Sequence, residues 1–144
     1  MNETTKIEFR CRRITEIADL DELTAVLFPG NSNQQHAASC MLFSLKWSPN
    51  LMPSLTSLER QFGISRRTLQ RTRAKLARLG LIEHVSSLNA RYGGQSGWKL
   101  SGRFTGALRQ LADRVEHWRE AKAPDKQEKE KWMLEMGRTP ASSK

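Results

Sequence analysis

The sequence predicts a mainly α fold with a small β-hairpin. Three observations carry that expectation: apolar residues recur at three- and four-residue spacing in five stretches, a glycine corner at Gly63 separates two of them, and the pattern changes from helix to strand after Gly80. The 144 residues suffice for one domain with flanking segments.

Residues 6 to 13 alternate Ile7, Phe9 and Cys11 with Glu8, Arg10 and Arg12, the pattern of a short strand or an extended arm. Ile17, Leu20, Leu23, Val26 and Leu27 predict a helix from Thr15 to Phe28, stopped by Pro29-Gly30. Asn31, Ser32 and Asn33 are candidate N-caps of a second, buried helix that runs to about Trp47 on a stripe of Ala37, Met41 and Leu45, widened by Ala38 and Leu42. Ser48-Pro49-Asn50 closes it. Leu55, Leu58 and Phe62 then mark a short helix that ends at Gly63, a residue free to take positive φ at a sharp corner.

Ile64 can plug that corner and Ser65 can cap the next helix. That helix runs to Leu79, with Leu69, Thr72, Leu76 and Leu79 on its inner stripe and Gly80 as its C-terminal stop. Leu81 to Val85 and Trp98 to Leu100 read as two strands around a Gly-rich tip, residues 89–97. A last helix starts at Ser101 or Gly102. Its apolar residues Phe104, Leu108, Leu111, Val115 and Trp118 recur at spacings of four, three, four and three. Pro124 and the alternating charges beyond it predict a mobile charged tail. The expected organisation is thus an arm and helix in residues 1–30, a helix–corner–helix–hairpin domain in 31–103, a packing or dimerisation helix in 104–121 and the tail in 122–144.

The formal net charge is +9, from 24 Lys and Arg against 15 Asp and Glu. Its distribution says more than its size. Between Leu55 and Arg103 stand ten basic side chains, eight of them Arg, opposed only by Glu59 and Glu83, so this stretch carries +8 and the rest of the chain +1. The planar arginine fork suits phosphate oxygens and guanine edges better than the point charge of lysine.

Helix, glycine corner, helix and hairpin in this order resemble a winged helix-turn-helix domain, over roughly Gln35 to Arg103. The string GISRRTLQRTRAKLARLGLIEHV is similar to the recognition-helix segment of bacterial regulators of the DeoR, GntR and MarR types, through Ile64, Ser65, Thr68, Leu69, Leu76, Gly80, Leu81 and Ile82. Glu59, where those families have Ala, and Thr72-Arg73, where DeoR-like helices tend to have Asp-Leu, differ from the pattern.

The resemblance implies double-stranded DNA as partner, a recognition helix over about 65–79 in the major groove and a wing over 86–97 on the backbone or in the minor groove. Residues at the start of such a helix reach base edges, so Arg66, Arg67, Gln70 and Arg71 are the expected base readers; Arg pairs bidentately with guanine and Gln with adenine. Arg60, Ser65, Arg73, Lys75 and Arg78 are expected on the DNA backbone, and Arg91, Tyr92 and Lys99 on the wing.

The stripe Phe104, Leu108, Leu111, Val115 and Trp118 is a candidate homodimer surface, although it spans fewer heptads than a coiled coil needs, and packing on its own domain is the alternative. Trp132, Met133 and Met136 form an apolar island in the tail that either folds back or docks a protein partner. His36, His84 and His117 lack carboxylate or cysteine neighbours at ligand spacing, so no metal is expected, and Cys40 reads as a small core residue. The chain shows neither a phosphate-binding glycine loop nor a nucleophile elbow, which makes a non-enzymatic protein without cofactor the expectation.

No apolar run approaches ~18 residues, against a membrane partner. The opening MNETTKIEFRCRR puts charges where a signal peptide is apolar, and Cys11 and Cys40 fit a reducing compartment, so a cytoplasmic location is expected. The expected function is sequence-specific DNA binding by a transcription regulator. The alternatives are a replication or partition module from a plasmid or phage, or a non-specific nucleic-acid-binding adaptor.

Overall fold

The structure is a computed structural model that describes residues 5–86 and 94–137. Among them are seven helices and one antiparallel hairpin: α1 (Cys11–Thr15), α2 (Leu20–Leu27), α3 (Ser32–Trp47), α4 (Ser57–Phe62), α5 (Arg66–Leu79), β1 (Ile82–Val85), β2 (Gly97–Leu100), α6 (Arg103–Glu120) and α7 (Pro124–Met136). The chain divides into two compact units, Met1–Thr105 and Gly106–Lys144.

The first unit is built around α3, which packs against α2, α4, α5 and β2. Ala37, Ala38 and Met41 of α3 are wholly buried, and Leu27, Phe28, Leu55, Leu58, Leu69, Leu76 and Ile82 close around them. The two alanines keep that side of α3 narrow enough for neighbouring helices to approach closely. Gly63, with φ 66° and ψ 38°, turns the chain between α4 and α5 in the left-handed region, where a Cβ is strained. Ile64, 6% exposed, fills the corner and donates its backbone N–H to the Glu59 carbonyl at 3.0 Å.

In the hairpin Ile82 faces Leu100 and Val85 faces Gly97. A third stretch joins it. Met52 and Trp98 exchange both backbone hydrogen bonds, at 3.1 and 2.7 Å, which continues the pairing of β2 on its other edge. Gly97 permits this, because a Cβ there would lie 2.6 Å from the Met52 carbonyl oxygen.

Three expectations are corrected. Of the short strand or extended arm expected over residues 6–13, no strand is found among the described residues: Glu8 N–H donates to Val26 O at 2.8 Å without a ladder, Arg10 O already accepts the Ile14 N–H at 2.8 Å, and Cys11 belongs to α1. The helix expected from Thr15 starts at Leu20. There Asp19 accepts the Glu22 N–H at 3.1 Å while the Glu22 carboxylate accepts the Ala18 N–H at 2.7 Å, a reciprocal cap that sets the start. The tail is helical over Pro124–Met136. Pro124 occupies the first turn, where its missing N–H costs nothing, and Asp125/Lys129 and Lys126/Glu130 set opposite charges four residues apart.

The second unit holds most of α6 and all of α7. Neither helix has a buried residue. Phe104, at the start of α6 and still in the first unit, does pack on the core.

Candidate nucleic-acid interface

The site rests on the two faces of α5. Leu69, Thr72 and Leu76 are buried, and the residues on the other side of the cylinder, Arg66, Arg67, Gln70, Arg71, Ala74 and Arg78, are exposed. No acidic residue occurs anywhere in α5. The helix start is held by Ser65, whose Oγ accepts the Thr68 N–H at 3.1 Å and donates to the Thr68 hydroxyl at 2.9 Å. All four expected base readers therefore share one open, cationic face beginning at a capped N-terminus.

The expected backbone contacts divide into two groups. Arg60 on α4 and Ser65 are exposed. Arg73 and Lys75 instead sit half-buried at the edges of α5, engaged with the rest of the unit. The Arg73 guanidinium lies 5.3 Å from the centre of the Trp98 ring, and the Trp98 ring meets His84 edge-on at 5.0 Å. The Lys75 ammonium donates to the Lys6 carbonyl at 2.5 Å and stands 4.6 Å from the centre of the Phe28 ring. Burial, with the Arg78 charge beside it, holds the pKa of Lys75 below its ordinary 10.5. Arg78 keeps its place on the exposed face while its Nε donates to the Thr5 hydroxyl at 3.3 Å.

On the hairpin, Lys99 pairs with Glu83 across the strands at 3.1 Å, so its charge is opposed within the unit. Arg91 and Tyr92 lie outside the described residues.

Two neighbours of α5 have no signal in the sequence. One is the N-terminal arm, whose Thr5 and Lys6 reach Arg78 and Lys75 over some 70 residues of chain; no local pattern announces such a contact. The other is a shallow cleft of about 190 Å³ at the start of α5, lined by Asn33, His36, Gly63, Ile64, Ser65 and Thr68. His36 Nε2 lies 3.4 Å from the Phe62 carbonyl and 3.6 Å from the Cys40 sulfur, which ties α3 to the corner. Burial raises the pKa of the Cys40 thiol, consistent with a core role for that side chain.

Among the described residues no group of three or more His, Cys, Asp or Glu side chains could hold a metal ion, and no helix is long and apolar enough to cross a membrane. Compared with protein-family models, curated proteins and solved structures, the chain has no match in any of the three.

Proposed function

We propose that this chain is a winged helix-turn-helix protein that binds duplex DNA sequence-specifically and acts as a transcription regulator. The observation that carries this reading is the shared exposure of Arg66, Arg67, Gln70 and Arg71 on the acid-free face of α5, with the opposite face locked in the core. A helix so held offers its first two turns to a major groove ~12 Å wide, and its side chains have the donors and acceptors that base edges require. Arg60, the Ser65 region and Arg78 then meet phosphates, and the hairpin tip lies against the backbone or the minor groove. The protein works without a cofactor and is not an enzyme.

A replication or partition role for the same domain is the second reading. It is favoured by the exposed Trp132, Met133 and Met136 of α7, which suit recruitment of another protein to bound DNA. Footprinting separates the two: protection of one promoter-proximal palindrome belongs to a regulator, and protection of several direct repeats at an origin to a replication module.

Selection of bound duplexes from a random pool tests the shared premise. An enriched motif is expected at physiological salt, with log affinity falling against log salt at a slope near about −5 for roughly six phosphates. Equal affinity for unrelated duplexes and single strands would replace specific recognition with a non-specific adaptor.

A further inference from the structure

Besides the exposed apolar residues of α7, the described residues present an open apolar groove in the first unit and an open apolar stripe on α6. In the first, a groove of about 580 Å³ runs between α2, the C-terminal half of α3 and the hairpin, walled by Leu23, Leu42, Phe43, Trp47, Leu81 and Leu100. Phe43 is 52% exposed, Trp47 66% and Leu100 38%. Such shallow walls cannot enclose 70–90% of a small ligand, but they suit the projecting side chains of a helix. In the second unit, α6 presents Leu108, Leu111, Val115 and Trp118 on one stripe, each between 38% and 63% exposed.

We propose that the groove is occupied by the α6 stripe of a second copy, so that two chains exchange α6 helices about a two-fold axis. Area and charge both select this arrangement over pairing of α6 with α6. At about 100 Å² for each exposed side chain, stripe on stripe covers four residues per copy, about 800 Å² in all and no larger than a crystal-packing contact. Exchange covers the stripe together with Phe43, Trp47 and Leu100, seven residues per copy and about 1,400 Å², within the range of stable specific interfaces.

The charges flanking the α6 seam are Arg114 and Arg119, with Ala107, Ala112 and Ala121 at the other flanking places. Seam-on-seam pairing therefore brings only like charges together. The groove is lined by one carboxylate, Asp19, and one ammonium, Lys46, which lies over the Trp47 ring at 5.0 Å, so it meets α6 with no net charge rather than with like charges alone. None of this depends on DNA, so a failed exchange leaves the DNA-binding reading standing.

Intermolecular cross-linking of the full chain without DNA tests the proposal. Trp47→Cys and Leu111→Cys are placed in separate, differently tagged copies on a Cys11→Ser background, mixed, and treated with a short bis-maleimide. Exchange predicts that the mixed Trp47–Leu111 product exceeds the Leu111–Leu111 product at least tenfold. Predominance of Leu111–Leu111 would overturn it in favour of a simple seam. A Trp47/Leu111 double variant that links within one chain at high dilution would overturn it by showing the groove filled by its own helix. Sedimentation gives an independent reading: Leu111→Glu and Trp47→Glu, each with unchanged circular dichroism, should both weaken a dimer by at least about 100-fold. A monomeric parent chain at tens of micromolar, or loss of the dimer in only one of the two variants, sinks the exchange.

Discussion

Gln70 and Arg67 stand one turn apart on the open face of α5, so each is free to answer for a single base pair. In the DNA-binding reading, Arg67→Ala or Gln70→Ala should lose about 1–3 kcal/mol at one base position and almost nothing at the others, read by titrating a panel of single-substitution sites. A uniform loss over the panel would move that residue to the phosphates. On the buried face of the same helix, the Thr72 hydroxyl has no hydrogen-bond partner among the described residues, although the side chain is wholly enclosed. Enclosing an unmet hydroxyl costs more than the shape of the residue contributes, and Val has the same shape and a similar helix propensity. Thr72→Val is expected to raise unfolding stability by about 1 kcal/mol in a denaturant titration. A loss would mean that the hydroxyl is satisfied within its own helix.

At the scale of elements, the hairpin depends on a close approach that its own two strands do not reveal. A Cβ at Gly97 would run into the chain at Leu51-Met52, and the paired hydrogen bonds of Met52 and Trp98 hold that stretch against β2. Gly97→Ala forces a methyl group onto the Met52 carbonyl; a loss of about 1–3 kcal/mol in thermal or chemical unfolding is expected, while Ala at the open Gly102 should leave the hairpin unaltered. The elements were unevenly legible. The α5 helix was readable from end to end because its cap, its stripe and its glycine stop are all local: Ser65, Leu69, Leu76 and Gly80 lie within sixteen residues. The start of α2 is obscured although its signal, Asp19 with Glu22 three residues on, is equally local, because Ile17 extends the apolar spacing beyond the helix. The charge alternation in residues 125–131 suits a solvated tail, and its four-residue spacing equally supports α7.

For the molecule as a whole, the separation into two units has a direct consequence. Every buried residue described lies in the first unit, and α7 buries nothing. Deleting residues 122–144 should therefore leave the melting temperature unchanged within about 2 °C, as measured by circular dichroism of the two proteins side by side. A larger drop would show that α7 covers apolar surface in solution.

The sequence by itself determined the helical class, the hairpin and the clustering of positive charge on one stretch, because helix period, strand period and charge position are properties of neighbouring residues. It also identified the side of α5 that stays exposed, since burying Leu69, Thr72 and Leu76 leaves Arg67, Gln70 and Arg71 no other direction. Only the tertiary structure decided which cations of that basic stretch are engaged by neighbouring elements. Arg73 is taken up by Trp98, Lys75 by Phe28 and the Lys6 carbonyl, and Lys99 by Glu83, all partners brought close by the packing of separate elements. A charge is counted wherever it occurs in a chain, but whether it faces solvent or a neighbour is settled by contacts across 16 to 69 residues, which no local pattern encodes.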